Sequence, residues 1–271
     1  METTPNLKKT AKQIRLMVLE MIYRAKTSHI GTALSCVDIL TALYFGDVMH
    51  LNPSDPLWPE RDRFILSKGH GCSALYAALA LKEFFPISEL EKFTMEGSEL
   101  SGHVTRGLPG VETSGGSGGH GLSMGVGMAL AARMDKKNYR TFVLVGDGEC
   151  QEGSIWEAIM FAGHHQLSNL ILIIDNNGLQ IMGKTKEIVN LEPLKEKFLA
   201  FNWEVASVSG HNLSALVWAL NIKSNNGPLA IIAQTTKGRG ISFMEGNYLW
   251  HGQCPNEAEY QQARKELENA D

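Results

Sequence analysis

The chain has 271 residues, of which 44% are hydrophobic and 20% charged, so it has ample apolar side chains for a core and does not resemble a disordered chain. A net charge of −4 at pH 7 gives no electrostatic reason to expect nucleic acid or an anionic membrane as a partner. The four cysteines form no Cys-x-x-Cys pair, and the sequence has neither a signal-peptide core nor an apolar run of about 20 residues. We therefore expect a cytoplasmic protein with reduced thiols and without nucleic-acid or membrane partners.

Apolar periodicity in the first third of the chain predicts mostly helices. An amphipathic helix is expected over residues 8–25 and a second helix over 36–45. The segment RFILS at 63–67 is typical of a short strand. The segment 71–85, rich in alanine and leucine, predicts a buried helix that stops before Pro86.

Residues 97–121 are rich in glycine and show neither the helical nor the strand period. A linker between two domains is one interpretation of such a segment. The segment also carries histidine and threonine, and it continues directly into a helical pattern. Long ordered loops in compact domains are uncommon and often functional, so we expect a functional loop here.

Strands and helices alternate in the second half of the chain. The apolar runs are continuous rather than alternating, as in parallel strands that are covered on both faces. The order of elements predicts an α/β fold with a mostly parallel central sheet and helices on both faces. The predicted strands are 141–146, 169–175, 203–209 and 228–236, and the predicted helices are 122–134, 152–165, 192–200, 213–224 and 256–268.

Two of the predicted strands end in residues that can bind a metal together. Asp147 lies between Gly146 and Gly148 at the end of one strand, and Asn177 follows the next strand. If these strands are neighbours, both side chains lie on the rim where parallel sheets bind ligands. Mg²⁺ prefers oxygen ligands and often shares them with substrate phosphates, and the carbonyl of Leu179 is a further protein oxygen nearby. The pair predicts a magnesium site, although each motif alone is typical of an ordinary turn.

The same rim is suited to a diphosphate. Gly148 allows the backbone to approach a phosphate closely, and the helix that begins near Glu152 directs its positive end to the same place. The sequence has no P-loop, and the Gly-x-Gly-x-x-Gly pattern at 116–121 has no strand before it, so a dinucleotide site is disfavoured. We therefore expect Asp147 to bind a metal ion, and the metal ion to bind a diphosphate.

Six longer stretches resemble the N-terminal part of transketolase, a family of thiamine diphosphate enzymes. They occur in the family's order and extend over nearly the whole chain. The stretches are SHIGTALSCVDILTALYF (28–45), RDRFILSKGHGCSALYAAL (61–79), SGHVTRGLPGVETSGGSGGHGLSMGVGMAL (101–130), GDGECQEGSIWEA (146–158), DNNGLQ (175–180) and WHG (250–252). The resemblance implies that residues 1–271 form a single domain of the thiamine diphosphate-binding fold, of the type that binds the pyrophosphate and magnesium.

The resemblance also implies the ligands of the metal and the cofactor. Asp147, Asn177 and the carbonyl of Leu179 would bind Mg²⁺, with Ca²⁺ or Mn²⁺ as substitutes. The implied cofactor-binding residues are His70, Gly116, Gly118, His120, Gly146, Gly148, Glu149, Glu152, Glu157 and Asn177.

Three members of this set have further or alternative interpretations. Glu152 and Glu157 match family carboxylates that lie near a subunit interface and couple two cofactor sites. For Glu149, the alternative is a solvated loop charge.

Histidines are the candidates for proton transfer. His29, His70, His103 and His251 match the active-site histidines of the family, and imidazole is suited to moving protons on sugar hydroxyls near neutral pH. Taken alone, a single histidine is more often a core or surface residue than a functional one. His120 and His211 are ambiguous, since His120 contacts either the diphosphate or its local surroundings. No motif applies to His50, His164 or His165, which are interpreted as structural.

The resemblance ends after the first domain of a transketolase. In the family, a pyrimidine-binding domain and a third domain follow, and they supply the glutamate that activates the cofactor. The implied function is that of the N-terminal subunit of a split transketolase. It would transfer a two-carbon ketol unit between sugar phosphates in a heterotetramer with two copies of a C-terminal subunit.

Other functional classes remain as alternatives. One is a subunit of another thiamine diphosphate enzyme, such as a 2-oxo acid dehydrogenase E1 component or an enzyme of the deoxyxylulose-phosphate synthase type. Another is a regulatory subunit without catalysis. The intact metal pair and the four histidines argue against the regulatory subunit.

Overall fold

A computed structural model describes residues 4–224 and 226–270, with side chains from residue 6 onward. Its main sheet has five strands, all parallel, in the order β1-β2-β3-β7-β6, which confirms the predicted fold class. Two further strands, β4 and β5, form a small antiparallel hairpin. The strands are β1 (Arg63–Leu66), β2 (Thr141–Gly146), β3 (Leu170–Asn176), β4 (Leu179–Gln180), β5 (Gly183–Lys184), β6 (Glu204–Ser209) and β7 (Leu229–Gln234).

The helices alternate with these strands and cover the sheet. They are α1 (Thr4–Ala25), α2 (Ile30–Ser35), α3 (Val37–Phe45), α4 (Cys72–Leu81), α5 (His120–Met134), α6 (Gly153–His164), α7 (Thr185–Ile188), α8 (Leu194–Ala200), α9 (Leu213–Leu220) and α10 (Glu257–Asn269). Short 3-10 helices occur at Gly69–Gly71, Ile87–Lys92, Glu149–Gln151 and Tyr248–His251. Within the described residues, no helix is long and apolar enough to cross a membrane.

Successive strand residues point to opposite faces, so the sheet has two hydrophobic cores. Phe142 and Leu144 of β2 pack with α1, α3, α4 and α9 on one face. Val143 and Val145 of the same strand pack with α5, α6 and α8 on the other. Coverage of both faces explains why the strands are continuously apolar in the sequence.

Several predicted helices differ in extent from those observed, and the helix expected over 8–25 extends back to Thr4. The helix expected over 36–45 is preceded by a separate turn of helix, α2, and α3 begins after Cys36. The helix expected over 71–85 ends at Leu81, because Glu83 adopts a left-handed backbone with φ of 66° and ends the helical hydrogen bonding. The helix expected over 213–224 ends at Leu220.

The register of the central strands determines where the site lies. β2 and β3 are direct neighbours, and Gly146 is opposite Asp175. The residues that follow both strands therefore meet at the same edge of the sheet, as the predicted magnesium site requires.

Candidate active site

The rim formed by the ends of β2 and β3 is organised around Asp147. One of its carboxylate oxygens accepts hydrogen bonds from the backbone N–H of Gly178 at 2.8 Å and from the hydroxyl of Thr185 at 2.9 Å. The backbone N–H of Asp147 donates to the carbonyl of Asp175 at 3.3 Å. These contacts attach the turn after β2 to the turn after β3.

Asn177 and Leu179 lie on the same rim. The side-chain oxygen of Asn177 accepts a hydrogen bond from the N–H of Leu179 at 3.1 Å, which forms a tight turn after β3. Asp147, Asn177 and Leu179 all line one cleft. Their carboxylate, amide and carbonyl oxygens suit a hard divalent cation, so these residues fit the expected metal. Among the described residues there is no group of three or more histidine, cysteine, aspartate or glutamate side chains that could hold a metal.

Burial and the neighbouring carboxylate of Asp175 raise the pKa of Asp147 to about 6. A nearby cation stabilises the ionised form of such a carboxylate, because its positive charge offsets both the cost of desolvation and the repulsion from Asp175. The electrostatics of the rim therefore favour binding of a cation.

Beneath the rim, Lys68 and Asp175 form a fully buried ion pair. Burial opposes both charges, yet the mutual attraction raises the pKa of Lys68 and lowers that of Asp175. Lys68 also donates to the carbonyl of Thr32 at 3.1 Å, and Ser35 donates to Asp175 at 2.5 Å. Sequence reasoning missed this pair, although both residues lie at the ends of apolar strands, which is the signal that revealed Asp147.

Four segments that are distant in sequence bring the predicted catalytic histidines together. The ring centre of His29 lies 5.4 Å from that of His70, 5.6 Å from that of His103 and 5.2 Å from that of His251. The rings of His70 and His251 are 5.0 Å apart. All four histidines line the same cleft as Asp147.

The backbone of His29 is held in an unusual conformation. Its φ of 77° is in the left-handed region, which costs a non-glycine residue on the order of 1 kcal/mol. The N–H of His29 donates to the carbonyl of His251 at 3.0 Å. This contact couples the turn before α2 to the 3-10 helix Tyr248–His251 and sets the spacing of the two rings.

Three histidines of the cluster, His29, His70 and His251, favour the neutral form. Burial and the charge of Lys68 lower the pKa of His70 to about 2, and burial and Lys237 lower that of His251 to about 3. Burial also lowers the pKa of His29. A neutral imidazole has one N–H donor and one acceptor nitrogen, so at pH 7 these rings can both give and accept hydrogen bonds.

Glu149 is not the solvated loop charge of the alternative interpretation. Its carboxylate accepts hydrogen bonds from the hydroxyl of Ser67 and from the N–H groups of Gly119 at 2.8 Å and Gly146 at 3.2 Å. Burial raises its pKa even though these donors favour the anion. Glu149 thus ties the glycine-rich loop to the ends of β1 and β2, and the solvated interpretation is wrong because one hydroxyl and two backbone N–H groups of the protein bind the carboxylate.

The glycine-rich segments allow the chain to approach the cleft closely. A Cβ atom at Gly148 would lie 3.0 Å from Cβ of Gln180, and Gly119 has φ of 83° with Ser154 beside it. Gly116, Gly118, Gly146 and Gly148 line the cleft, which has a volume of about 530 Å³. Gln180 also lines it, and its buried side-chain oxygen has no hydrogen-bond partner among the described residues. Such an unpartnered polar atom fits a site built for a polar ligand.

The remaining candidates lie at the edge of the cleft or away from it. Glu152 is exposed and lines the cleft. His120, the exposed first residue of α5, and Glu157, exposed on α6, lie outside its lining. The roles of all these residues in catalysis and cofactor binding stay predictions.

The histidines without a motif also lie away from the cleft. The structure explains His211: its Nδ1 lies 2.7 Å from Asp38, and its Nε2 accepts the N–H of Thr236 at 2.8 Å. Both ring nitrogens of His211 are therefore used in packing the fold.

Comparison with known proteins gives matches over nearly the whole chain. The family described as "Transketolase, thiamine diphosphate binding domain" matches residues 7–270. One of the subunits of the apulose-4-phosphate transketolase of Phocaeicola vulgatus is 45% identical over 255 residues, which cover 93% of this chain and 90% of that protein. The 6-deoxy-6-sulfo-D-fructose transketolase subunit SqwG of a Clostridium species is 44% identical over 266 residues, covering 97% of this chain and 96% of that protein.

Longer transketolases match over part of their length. Human transketolase is 36% identical over 247 residues, which cover 91% of this chain and 39% of the human protein. The crystal structure of transketolase from Campylobacter jejuni superposes with a TM-score of 0.93 at 32% identity, covering 98% of this chain and 43% of that one. The chain thus corresponds to less than half of these longer proteins and to nearly all of the separate subunits.

Proposed function

Because this chain belongs to the transketolase family and matches its thiamine diphosphate-binding domain, we propose that it is the N-terminal subunit of a split transketolase. In this proposal, residues 1–271 form one domain that binds thiamine diphosphate and Mg²⁺. The assembled enzyme transfers a two-carbon ketol unit from a ketose phosphate to an aldose phosphate. The observation that carries the proposal is that the Asp147–Asn177 rim and the four-histidine cluster line one cleft.

The rim is proposed to hold the metal and the diphosphate. Asp147, Asn177 and the carbonyl of Leu179 would bind Mg²⁺, and Gly148 would allow the backbone to lie against the phosphates. His70 and the glycines of the cleft would complete the diphosphate site. When bound, thiamine diphosphate supplies the carbon nucleophile that makes cleavage of the ketose carbon–carbon bond possible.

The histidine cluster is proposed to act on the sugar. His29, His70, His103 and His251 are supported in this role by their ring spacing of 5.0–5.6 Å and their position in the cleft. Neutral rings can accept a proton from a sugar hydroxyl and donate one to a carbonyl oxygen. The lowered pKa values of His29, His70 and His251 keep these three rings in that form at neutral pH.

The rest of the catalytic site is proposed to lie on a partner chain. Three relatives that this chain matches over most of their length are named as subunits, and it covers 43% of the Campylobacter transketolase. The tip of the β4–β5 hairpin, at the mouth of the cleft, exposes Ile181 and Met182 by 63% and 80%. Exposed apolar residues beside a ligand site are typical of surfaces that a partner covers. The partner would supply the carboxylate that activates the cofactor, in a heterotetramer with two copies of each chain.

The test is to assay ketol transfer by this chain alone, by its candidate partner alone and by the two together, with Mg²⁺ and thiamine diphosphate. Turnover is expected only in the mixture, and the Asp147→Ala chain with the same partner is the matched control. Substantial turnover by the isolated chain would remove the split-enzyme proposal. Decarboxylation of a 2-oxo acid in place of ketol transfer would favour the E1-type alternative.

The same assay addresses the substrate. Named relatives act on apulose 4-phosphate and on 6-deoxy-6-sulfo-D-fructose, so both belong in the donor panel beside fructose 6-phosphate. A preference for one of the first two would indicate specialised sugar catabolism. A preference for fructose 6-phosphate would indicate a general pentose phosphate enzyme. The cytoplasmic location stays a prediction.

A further inference from the structure

Lys237 is a buried lysine in the wall of the cleft that faces a histidine instead of a carboxylate. It lies in the loop after β7 and is 2% exposed. Its ammonium nitrogen is 3.1 Å from Nδ1 of His251. Within the described part of the chain, Lys237 forms no ion pair with an acidic side chain, although the more distant carboxylates of Asp147 and Asp175 partly offset the lowering of its pKa.

The direction of this hydrogen bond follows from the two groups. A protonated lysine has three donors and no acceptor, so Nδ1 of His251 must be the acceptor. A neutral imidazole that accepts at Nδ1 carries its proton on Nε2. The reverse direction requires a deprotonated lysine. Burial and Lys68 lower the pKa of Lys237 to about 8, which still leaves most of it protonated at pH 7.

The backbone around Lys237 holds this arrangement in place. Gly238 donates its N–H to the carbonyl of Gly31 at 2.9 Å, and Gly246 donates to the carbonyl of Lys237 at 3.0 Å. A Cβ atom at Gly31 would lie 3.2 Å from the Lys237 side chain and 3.2 Å from the carbonyl of Trp250, so all three pack tightly. The lysine, the segment that carries His251 and the first turn of α2 form one packed unit.

We propose that Lys237 is a positioning residue that fixes neutral His251 with its proton on Nε2, so that His251 presents a hydrogen-bond donor to the sugar. Nε2 makes no hydrogen bond to any described residue and is left for a ligand in the cleft. The statement about the sugar rests on the proposed function, whereas the state of the ring does not. A different role, direct binding of the cofactor diphosphate by Lys237, predicts a different kinetic result.

The first experiment measures the ring state in the full chain without any activity assay. Long-range ¹H–¹⁵N spectra of histidine-labelled protein at pH 7 report which ring nitrogen carries the proton, and the His251→Gln variant assigns the signal. We expect a protonated Nε2 and a hydrogen-bonded, unprotonated Nδ1. In Lys237→Met, the Nδ1 signal should shift to that of a free acceptor or to a mixture of tautomers, and Lys237→Arg should restore it. A protonated Nδ1 in the wild type, or identical spectra for wild type and Lys237→Met, would overturn the proposal.

The second experiment uses the complex with the partner chain. Lys237→Met is expected to lower kcat by about 10-fold to 100-fold, with the affinity for thiamine diphosphate changed by less than about 3-fold. Lys237→Arg should recover part of kcat, because it keeps the donor. A large loss of cofactor affinity with unchanged kcat would instead identify Lys237 as a diphosphate ligand. If even the wild-type complex transfers no ketol unit, the proposed function fails, while the ring state is still decided by the spectra.

Discussion

Lys68 and Lys237 are equally buried, at 2% exposure each, yet their surroundings have opposite effects. Both lysines line the cleft, but Lys68 is paired with Asp175, and the pKa of its ammonium is raised. Lys237, in the wall of the cleft, meets a histidine, and the pKa of its ammonium is lowered to about 8. The comparison indicates that the first lysine supports the fold, whereas the second is kept at a cost in stability, as functional groups often are.

The largest expected effect is on the paired lysine. Lys68→Met leaves Asp175 buried without its cation, which should lower the free energy of unfolding by about 3–5 kcal/mol. Urea denaturation of the isolated chain measures this loss. The double variant Lys68→Met/Asp175→Asn removes both charges and should recover most of it. A loss below about 1 kcal/mol for Lys68→Met would show that the ion pair does not stabilise the fold.

The next effect concerns the carboxylate above that pair. Asp147→Ala should weaken Mg²⁺-dependent binding of thiamine diphosphate by more than about 100-fold, because it removes the only charged ligand of the proposed site. Calorimetric titration with and without Mg²⁺ measures the change. The fold should survive, since Asp147 is not part of the Lys68–Asp175 pair. Retained affinity would count against the metal assignment.

Replacing Lys237 should have the opposite effect on stability to replacing Lys68. Lys237→Met should raise the free energy of unfolding at pH 7 by about 2 kcal/mol, because it removes a buried charge that has no acidic partner. In the wild type, the unfolded chain binds more protons than the folded chain between about pH 8 and the ordinary lysine value of 10.5. The gain from Lys237→Met should therefore be full below pH 8 and shrink as the pH rises to 10.5. Denaturation curves of both proteins across this range check the sign, and a gain that grows with pH would contradict it.

The smallest effect is expected at Glu149, whose partly buried carboxylate accepts hydrogen bonds from Ser67 and from two backbone N–H groups. Glu149→Gln replaces one acceptor oxygen with an NH₂ group, which cannot accept from both Gly119 and Gly146. We expect a loss of about 1–2 kcal/mol in thermal or urea denaturation. Glu157→Gln, at an exposed site on the neighbouring α6, is the matched control and should change stability little. Equal effects of the two variants would mean that Glu149 does not anchor the loop.

The sequence predicted the rim better than it predicted the surroundings of the rim. Asp147 and Asn177 could be found because each follows a continuous apolar run, and neighbouring parallel strands bring their ends together. The position of Lys68 and Asp175 at strand ends could have marked them as candidates, but their pairing could not be predicted, because they are 107 residues apart and meet only through the strand order. The solvated interpretation of Glu149 failed for a similar reason, since two of its three donors come from other segments.

The amino-acid pattern was sufficient to predict the class of fold, the type of each major element and the kinds of ligand-binding residues at the strand ends. Continuous apolar strands require cover on both faces, and oxygen-bearing turns after two such strands predict a metal and a diphosphate. Only the tertiary structure decided which side chains share an environment. Four histidines from distant segments form one cluster. The buried Lys68 pairs with Asp175, whereas the buried Lys237 contacts His251. Burial and pairing depend on distances across the folded chain, and these distances set whether the same residue type stabilises the fold or remains available for function.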